Sequence, residues 1–164
     1  MFSIFQKKEF LKDHLEGITD IHNHILPGID DGASNIEDSV QLLRRFKSIG
    51  ISSFVCTPHI MNDYYPNTPS TIGTSLSKVK NAISELTDIK STKIRAAAEY
   101  MMDQSFLDLL EQEELLTLKE KYVLVEMSNF QAPIKLKEIH LQLQTCHLIK
   151  SNPADDIQCV IFGQ

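Results

Sequence analysis

Cysteine is scarce in this 164-residue chain: Cys56, Cys146 and Cys159 are odd in number and far apart. They make no disulfide framework, and a reducing cytoplasm is the compartment that suits them. Cations are also in deficit, with 16 Lys and Arg against 22 Asp and Glu, a net charge of -6. That balance argues against a general nucleic-acid or anionic-membrane binder, since both need a cationic surface. A phosphorylated substrate is still compatible with it, because bound metal ions supply positive charge locally. Long apolar runs are missing too. The first residues, MFSIFQKKEFLKDHLEG, hold no stretch long enough for a signal peptide or a membrane span. Their apolar Ile4, Phe5, Leu11 and Leu15 suit one face of an amphipathic helix docked on the domain. What remains is ordinary for one soluble domain able to bury its own core.

Strand and helix signals alternate. ITDIHNH (18–24) reads as a strand and LPGIDDGASN as a turn-rich loop. Ser34 with Glu37 forms a capping box for a helix over 35–49, which carries Ile36, Val40, Leu43 and Phe46 and stops at Gly50. ISSFVCT (51–57) is a second strand, followed by a polar, Pro-containing loop and a helix over roughly 71–88. KIRAAAEY (93–100) is a third strand, with a short helix at 103–114 after it. YVLVEM (122–127) is a fourth, apolar enough to be covered on both faces, and 135–144 is a fourth helix. This rhythm predicts an α/β fold with parallel strands and crossover helices. The last stretch, from Thr145 on, breaks the rhythm.

The chemistry-bearing residues fall at strand ends. His22 and His24 close the first strand, His59 follows the second, Glu99 the third and Glu126 the fourth. Functional residues of parallel α/β folds gather at such carboxyl ends. Alternate residues of one strand share a face, so His22 and His24 can reach one ion. Imidazole and carboxylate donors suit Zn, Mn and Fe, and Glu99 could bridge two ions. A lone His-x-His is often incidental, and His59 alone would pass for a turn residue. Glu126 is harder to dismiss, since a carboxylate closing a run of YVLV would be costly to bury unpaired.

DIHNHILPGIDDGA, then CTPH, AAEY and LVEM, resembles the PHP family of metal-dependent phosphoesterases, in its branch of bacterial tyrosine-protein phosphatases of capsule and exopolysaccharide synthesis. The resemblance spans about residues 18 to 145. It implies a distorted (β/α) barrel of TIM-like type holding a metal cluster, commonly Mn, with Fe or Zn as alternatives. Metal-activated hydroxide would hydrolyse phosphotyrosine on a polysaccharide-assembly tyrosine kinase. It implies that His22, His24, His59, Glu99 and Glu126 are metal ligands, the first four also serving catalysis. Asp20 would orient a histidine from behind, while Asp30 and Asp31 lie in the loop over the site, where an Asp-Asp-Gly turn is an equal alternative. A homo-oligomer is compatible with all of this.

The family continues with His-Pro-Glu-Arg and Ser-Asp-Ala-His segments, and neither occurs here. A full barrel needs about 250 residues. The expectation is therefore a C-terminally truncated member: a helical extension at 1–17, the first part of the barrel at 18–145 and a divergent tail at 146–164. YVLVEM would then expose an apolar edge unless the tail or a partner covers it. The tail's Cys146, His147, Asp155, Asp156 and Cys159 match no standard zinc spacing. No Cys-x5-Arg loop exists, so a cysteine nucleophile is not supported, and Cys56 packs in the second strand. Other readings remain: an inactive metal- or partner-binding remnant, a phosphatase of a small metabolite such as histidinol phosphate, or a polymerase-associated domain.

Overall fold

The computed structural model describes residues 14–112, 115–119 and 122–127, the backbone of 158–161, and Phe10, Lys137 and Ile139. The expected helical extension over 1–17 and the helix over 135–144 lie largely outside the described residues, although Ile139 is buried.

Among the described residues, seven short strands run parallel in two sheets. The first sheet has the order β1(Thr19–Asp20), β2(Ser53–Cys56), β4(Lys93–Ala96). The second has β3(His59–Ile60), β5(Glu99–Met101), β6(Tyr122–Glu126), β7(Gln158–Ile161). The two are one run of staves bent in the middle. Ser53 pairs with Lys93 and His59 with Glu99, the same register on either side of the bend. The hydrogen bonds Ala97 N–H to Cys56 O (2.8 Å) and Glu99 N–H to Pro58 O (3.0 Å) carry the ladder across it. Two sequence features make the bend. Pro58 lacks an amide hydrogen, and Ala97 and Ala98 are small enough to be fully buried where the staves turn. The strand expected over 93–100 is thus two strands, and the loop after β2 contains a third.

Three helices are described: α1(Ile36–Ser48), α2(Pro69–Ser84) and α3(Gln104–Gln112). The cap of α1 is Asn35, not Ser34. Asn35 is extended, and its side-chain oxygen accepts from Asp38 N–H at 2.9 Å, while Ser34 N–H donates to the Asp38 carboxylate at 3.3 Å. A side-chain amide oxygen one residue later serves the same orphan amides. Helix α2 starts earlier than expected because Thr68 and Thr71 cap each other and Pro69 fits the first turn. It also ends earlier, since Leu86 and Ile89 continue the apolar spacing through a chain of turns.

The main core lies between the strands and these helices. Phe54, Leu43, Ile72, Val79, Tyr100 and Phe106 are all at most 2% exposed. Each such side chain contributes about 1.5–3 kcal/mol by leaving water. The opposite face of the strands carries a smaller cluster of Val55, Ala97, Leu118 and Leu124. The apolar edge of β6 is occupied: β7, from the tail, pairs with it in parallel from Tyr122–Gln158 to Val125–Ile161. No helix among the described residues is long and apolar enough to cross a membrane.

Candidate metal centre

After Asp20 the chain leaves β1, but Thr57 N–H still donates to Asn23 O at 3.0 Å, which keeps 21–24 beside the neighbouring stave. Asp20 accepts the backbone amide of His22 at 3.0 Å, so it shapes the turn that carries the histidine rather than touching the ring. The loop from His24 to Asn35 is pinned from beneath by two buried serines. Ser39 of α1 donates to Ile25 O at 2.6 Å and Ser75 of α2 to Pro27 O at 3.1 Å.

All five expected ligands converge. A single oxygen, Oε2 of Glu99, lies 3.1 Å from His22 Nε2, 3.6 Å from His24 Nε2 and 3.4 Å from His59 Nδ1. The same nitrogen of His59 is also held by Glu126, whose Oε1 is 2.6 Å from His59 Nδ1. The ligand atoms form three overlapping groups: His22, His24 and Glu99; His59, Glu99 and Glu126; and His24, Asp31 and His59. Within each group the atoms lie within 4.8 Å of one another. Neighbouring groups share Glu99, His59 or His24, as a set of adjacent ions would require. Nitrogen and carboxylate donors in this mixture fit Mn, Fe or Zn.

The two loop aspartates divide the work. Asp30 has a side chain fully shielded from solvent, and its Oδ2 is 2.8 Å from His24 Nδ1. Burial alone would raise its pKa, but the His24 hydrogen bond and the amides of Gly32 and His59 hold it below the usual carboxylate range. An ionised carboxylate only accepts, so His24 Nδ1 must donate. In the neutral ring this leaves Nε2, on the Glu99 side, as the lone pair that a metal ion needs. Asp31 is exposed and lies 3.5 Å from His59 Nε2, within ligand reach. Burial lowers the pKa of His59, yet contact with Glu126, helped by Glu99 and Asp31, outweighs it and raises the ring above its ordinary value.

Side-chain exposure falls from 36% at His22 and 24% at His24 to 11% at His59 and 3% at Glu99. The cluster therefore opens on the His22–His24 side and is closed at the glutamates. Three further residues shape it, of which Tyr65 and Asn67 gave no sign in the sequence. Tyr65 stacks on the His59 ring at 5.6 Å between centroids. Asn67 donates to both Ile29 O (2.7 Å) and His59 O (2.8 Å), tying the loop to β3. Gly32 packs directly against His24. The stretch YYPN offered no chemical signal beyond being a loop.

Cys56 is fully buried in β2, and burial, with the carboxylates of Asp20 and Asp30 behind it, pushes its thiol up to about 12. At pH 8 roughly one part in ten thousand would be thiolate. Iodoacetamide should therefore leave Cys56 unlabelled in the native protein and label it once guanidinium unfolds the chain, as read by peptide mapping. Native labelling at the rate of a free thiol would contradict the burial.

A family model described as "Capsular polysaccharide synthesis, CpsB/CapC" matches residues 18–149. Among curated relatives, tyrosine-protein phosphatase YwqE of Bacillus subtilis is 32% identical over 130 residues, 76% of this chain and 49% of its own. Putative tyrosine-protein phosphatase CapC of Staphylococcus aureus is 27% identical over 129 residues, 78% of this chain and 50% of its own. A chain from the crystal structures of YwqE and of CpsB from Streptococcus pneumoniae, "unique metal-dependent tyrosine phosphatases", superposes with a TM-score of 0.69 at 26% identity. That superposition covers 88% of this chain and 54% of the other. The chain spans about half the length of the relatives it matches. With the family model matching well over half of its residues, the chain belongs to the CpsB/CapC family of capsular polysaccharide synthesis.

Proposed function

We propose that this chain carries the first part of a distorted (β/α) barrel whose His22, His24, His59, Glu99 and Glu126 hold divalent ions, Mn foremost. In this reading it acts in the cytoplasm and hydrolyses phosphotyrosine on a tyrosine kinase of polysaccharide assembly. The observation that carries the reading is the position of Glu99 Oε2, within 3.6 Å of three imidazoles. A bridging carboxylate needs that placement. When bound, the ions supply Lewis-acid stabilisation of charge growing on the phosphoryl oxygens. The protein's own contribution is positional. Asp30 fixes the tautomer of His24, and Glu126 holds His59 from the dry side. His22 and His24 stand at the open edge, where an ester can enter.

One observation favours a second reading, in which these 164 residues bind ions without turning over substrate. No His-Pro-Glu-Arg or Ser-Asp-Ala-His segment occurs among them, so the arginines and ligands those segments bring in the family are not supplied. Turnover of a phosphotyrosine peptide separates the two. The first reading expects hydrolysis with Mn, loss on chelation, and a fall of about 100-fold or more in His22→Ala, typical of removing one transition-state-stabilising group. Histidinol phosphate should be the poorer substrate. Retained ion binding without turnover supports the second reading, and full activity in a metal-free preparation refutes the metal centre altogether.

A further inference from the structure

A groove of about 530 Å³ begins at His22 and His24 and runs along α1, within the size range of small-ligand sites. Leu42 and Phe46 give it an apolar wall. Asp38, Gln41, Leu42 and Arg45 line it at the spacing that places residues on one helix face. The last turns of α1 hold three cations, and two are engaged with one partner: Arg44 binds the Asp88 carboxylate at 2.7 Å and Lys47 binds the Asp88 carbonyl. The side chain of Arg45 is exposed, lines the groove and has no ion-pair or hydrogen-bond partner among the described residues. Asp38, the acid on this face, already receives Ser34 N–H and stands two turns away, about 10 Å along the axis. The charge at the far end of the groove is therefore positive.

We infer that this groove receives the peptide around the phosphotyrosine, and that Arg45 selects an anionic side chain flanking it. The inference rests on the proposed phosphotyrosine reading, because the phosphate must sit at the His22–His24 edge for the flank to reach Arg45. The peptide's ring lies against Leu42 and Phe46, and a flanking Asp or Glu pairs with the guanidinium. Arg45 is in this sense a specificity residue, remote from the reacting atoms.

The test uses two fluorescent phosphotyrosine peptides, one with Glu flanks and one with Gln, titrated into the Mn-loaded full chain by anisotropy. The Glu peptide should bind roughly three- to fivefold tighter, the range of a partly exposed ion pair, and the preference should shrink in high salt. Arg45→Gln should bring the ratio of the two dissociation constants to about one, while Arg45→Lys retains most of it. Because the ratio is read within each variant, a general loss of folding does not imitate the effect. An unchanged ratio in Arg45→Gln, equal weakening of both peptides, or no binding of either would overturn the inference. Mn-dependent turnover of p-nitrophenyl phosphate is read beside it. Turnover with a wild-type ratio of one removes the groove alone; a ratio that tracks Arg45 without turnover removes the hydrolytic reading and keeps the groove.

Discussion

Glu99→Gln should abolish tight ion binding and, with it, phosphotyrosine hydrolysis. The amide keeps the size and burial of the carboxylate but removes the charge that three imidazoles and any bound cations face. Losing a group that merely supports a ligand costs metal affinity on the order of 10–100-fold. Glu99 Oε2 touches His22, His24 and His59 directly, so its loss should exceed that range. Turnover should fall by about 1,000-fold or more, the upper end for deleting one preorganised electrostatic group. Isothermal titration with Mn, beside turnover of a phosphotyrosine peptide, checks both. The fold should survive, because Gln fills the same space and the buried negative charge was itself costly without ions. A Glu99→Gln protein that bound Mn as tightly as the wild type would remove Glu99 from the centre of the site.

The overlap of the candidate ligand groups is why that single residue should matter more than any one histidine. His22 belongs to one of the three groups, whereas Glu99, His59 and His24 each belong to two. Of these, Glu99 is the most buried, at 2% exposure for the residue, and it starts β5 directly opposite His59 in the ladder. The bend at Pro58 and Ala97–Ala98 sets that register at the sheet's carboxyl edge. The packing of the staves thereby positions the site: the core residues Phe54 and Tyr100 hold the strands on either side of the bend, and the bend brings Glu99 and His59 together.

How much of this was legible beforehand depended on how far apart the interacting residues lie. The five candidate ligands could be found because strand ends recur with the βαβ rhythm, and a His or Glu closing an apolar run has few structural excuses. Helix α1 was legible in its body and mistaken by one residue at its cap, since Ser34 and Asn35 are both good caps and only the backbone decides between them. The division of 93–100 into β4 and β5 could not be read, because a run of alanines gives the same text whether a strand runs straight or turns. Tyr65 and Asn67 were invisible for a different reason. Their roles are contacts with His59 made through the fold of a loop, and no spacing rule reports a stacked ring or a bridging amide. The parallel partner of β6 came from a tail whose sequence carries little strand pattern beyond its final apolar run.

Gly32→Ala should damage the site from outside it. A Cβ at residue 32 would stand 2.1 Å from His24 O and 2.3 Å from His24 Cβ, far inside any tolerated contact. Neither atom is the free end of a flexible side chain, so His24 or the whole Asp30–Ala33 turn must move. That turn is closed by Ala33 N–H to His24 O at 3.0 Å and by Gly32 N–H to Asp30 at 3.0 Å. Displacing it therefore disturbs both His24 and the carboxylate that fixes its tautomer. Overpacking of this kind typically costs about 1–3 kcal/mol of stability, and a shift of about 1 Å in a site residue can cost on the order of 100-fold in rate. We expect Gly32→Ala to melt several degrees lower and to bind Mn more weakly. Gly73→Ala provides the opposite sign. Gly73 lies inside α2, and a methyl group added there would meet nothing within 4 Å, so alanine should stabilise by about 0.5–1 kcal/mol and leave Mn affinity alone. Thermal melts and Mn titrations of the pair give the answer. If Gly32→Ala matched the wild type in both, the close packing of the loop on His24 would not be what holds that ligand in place.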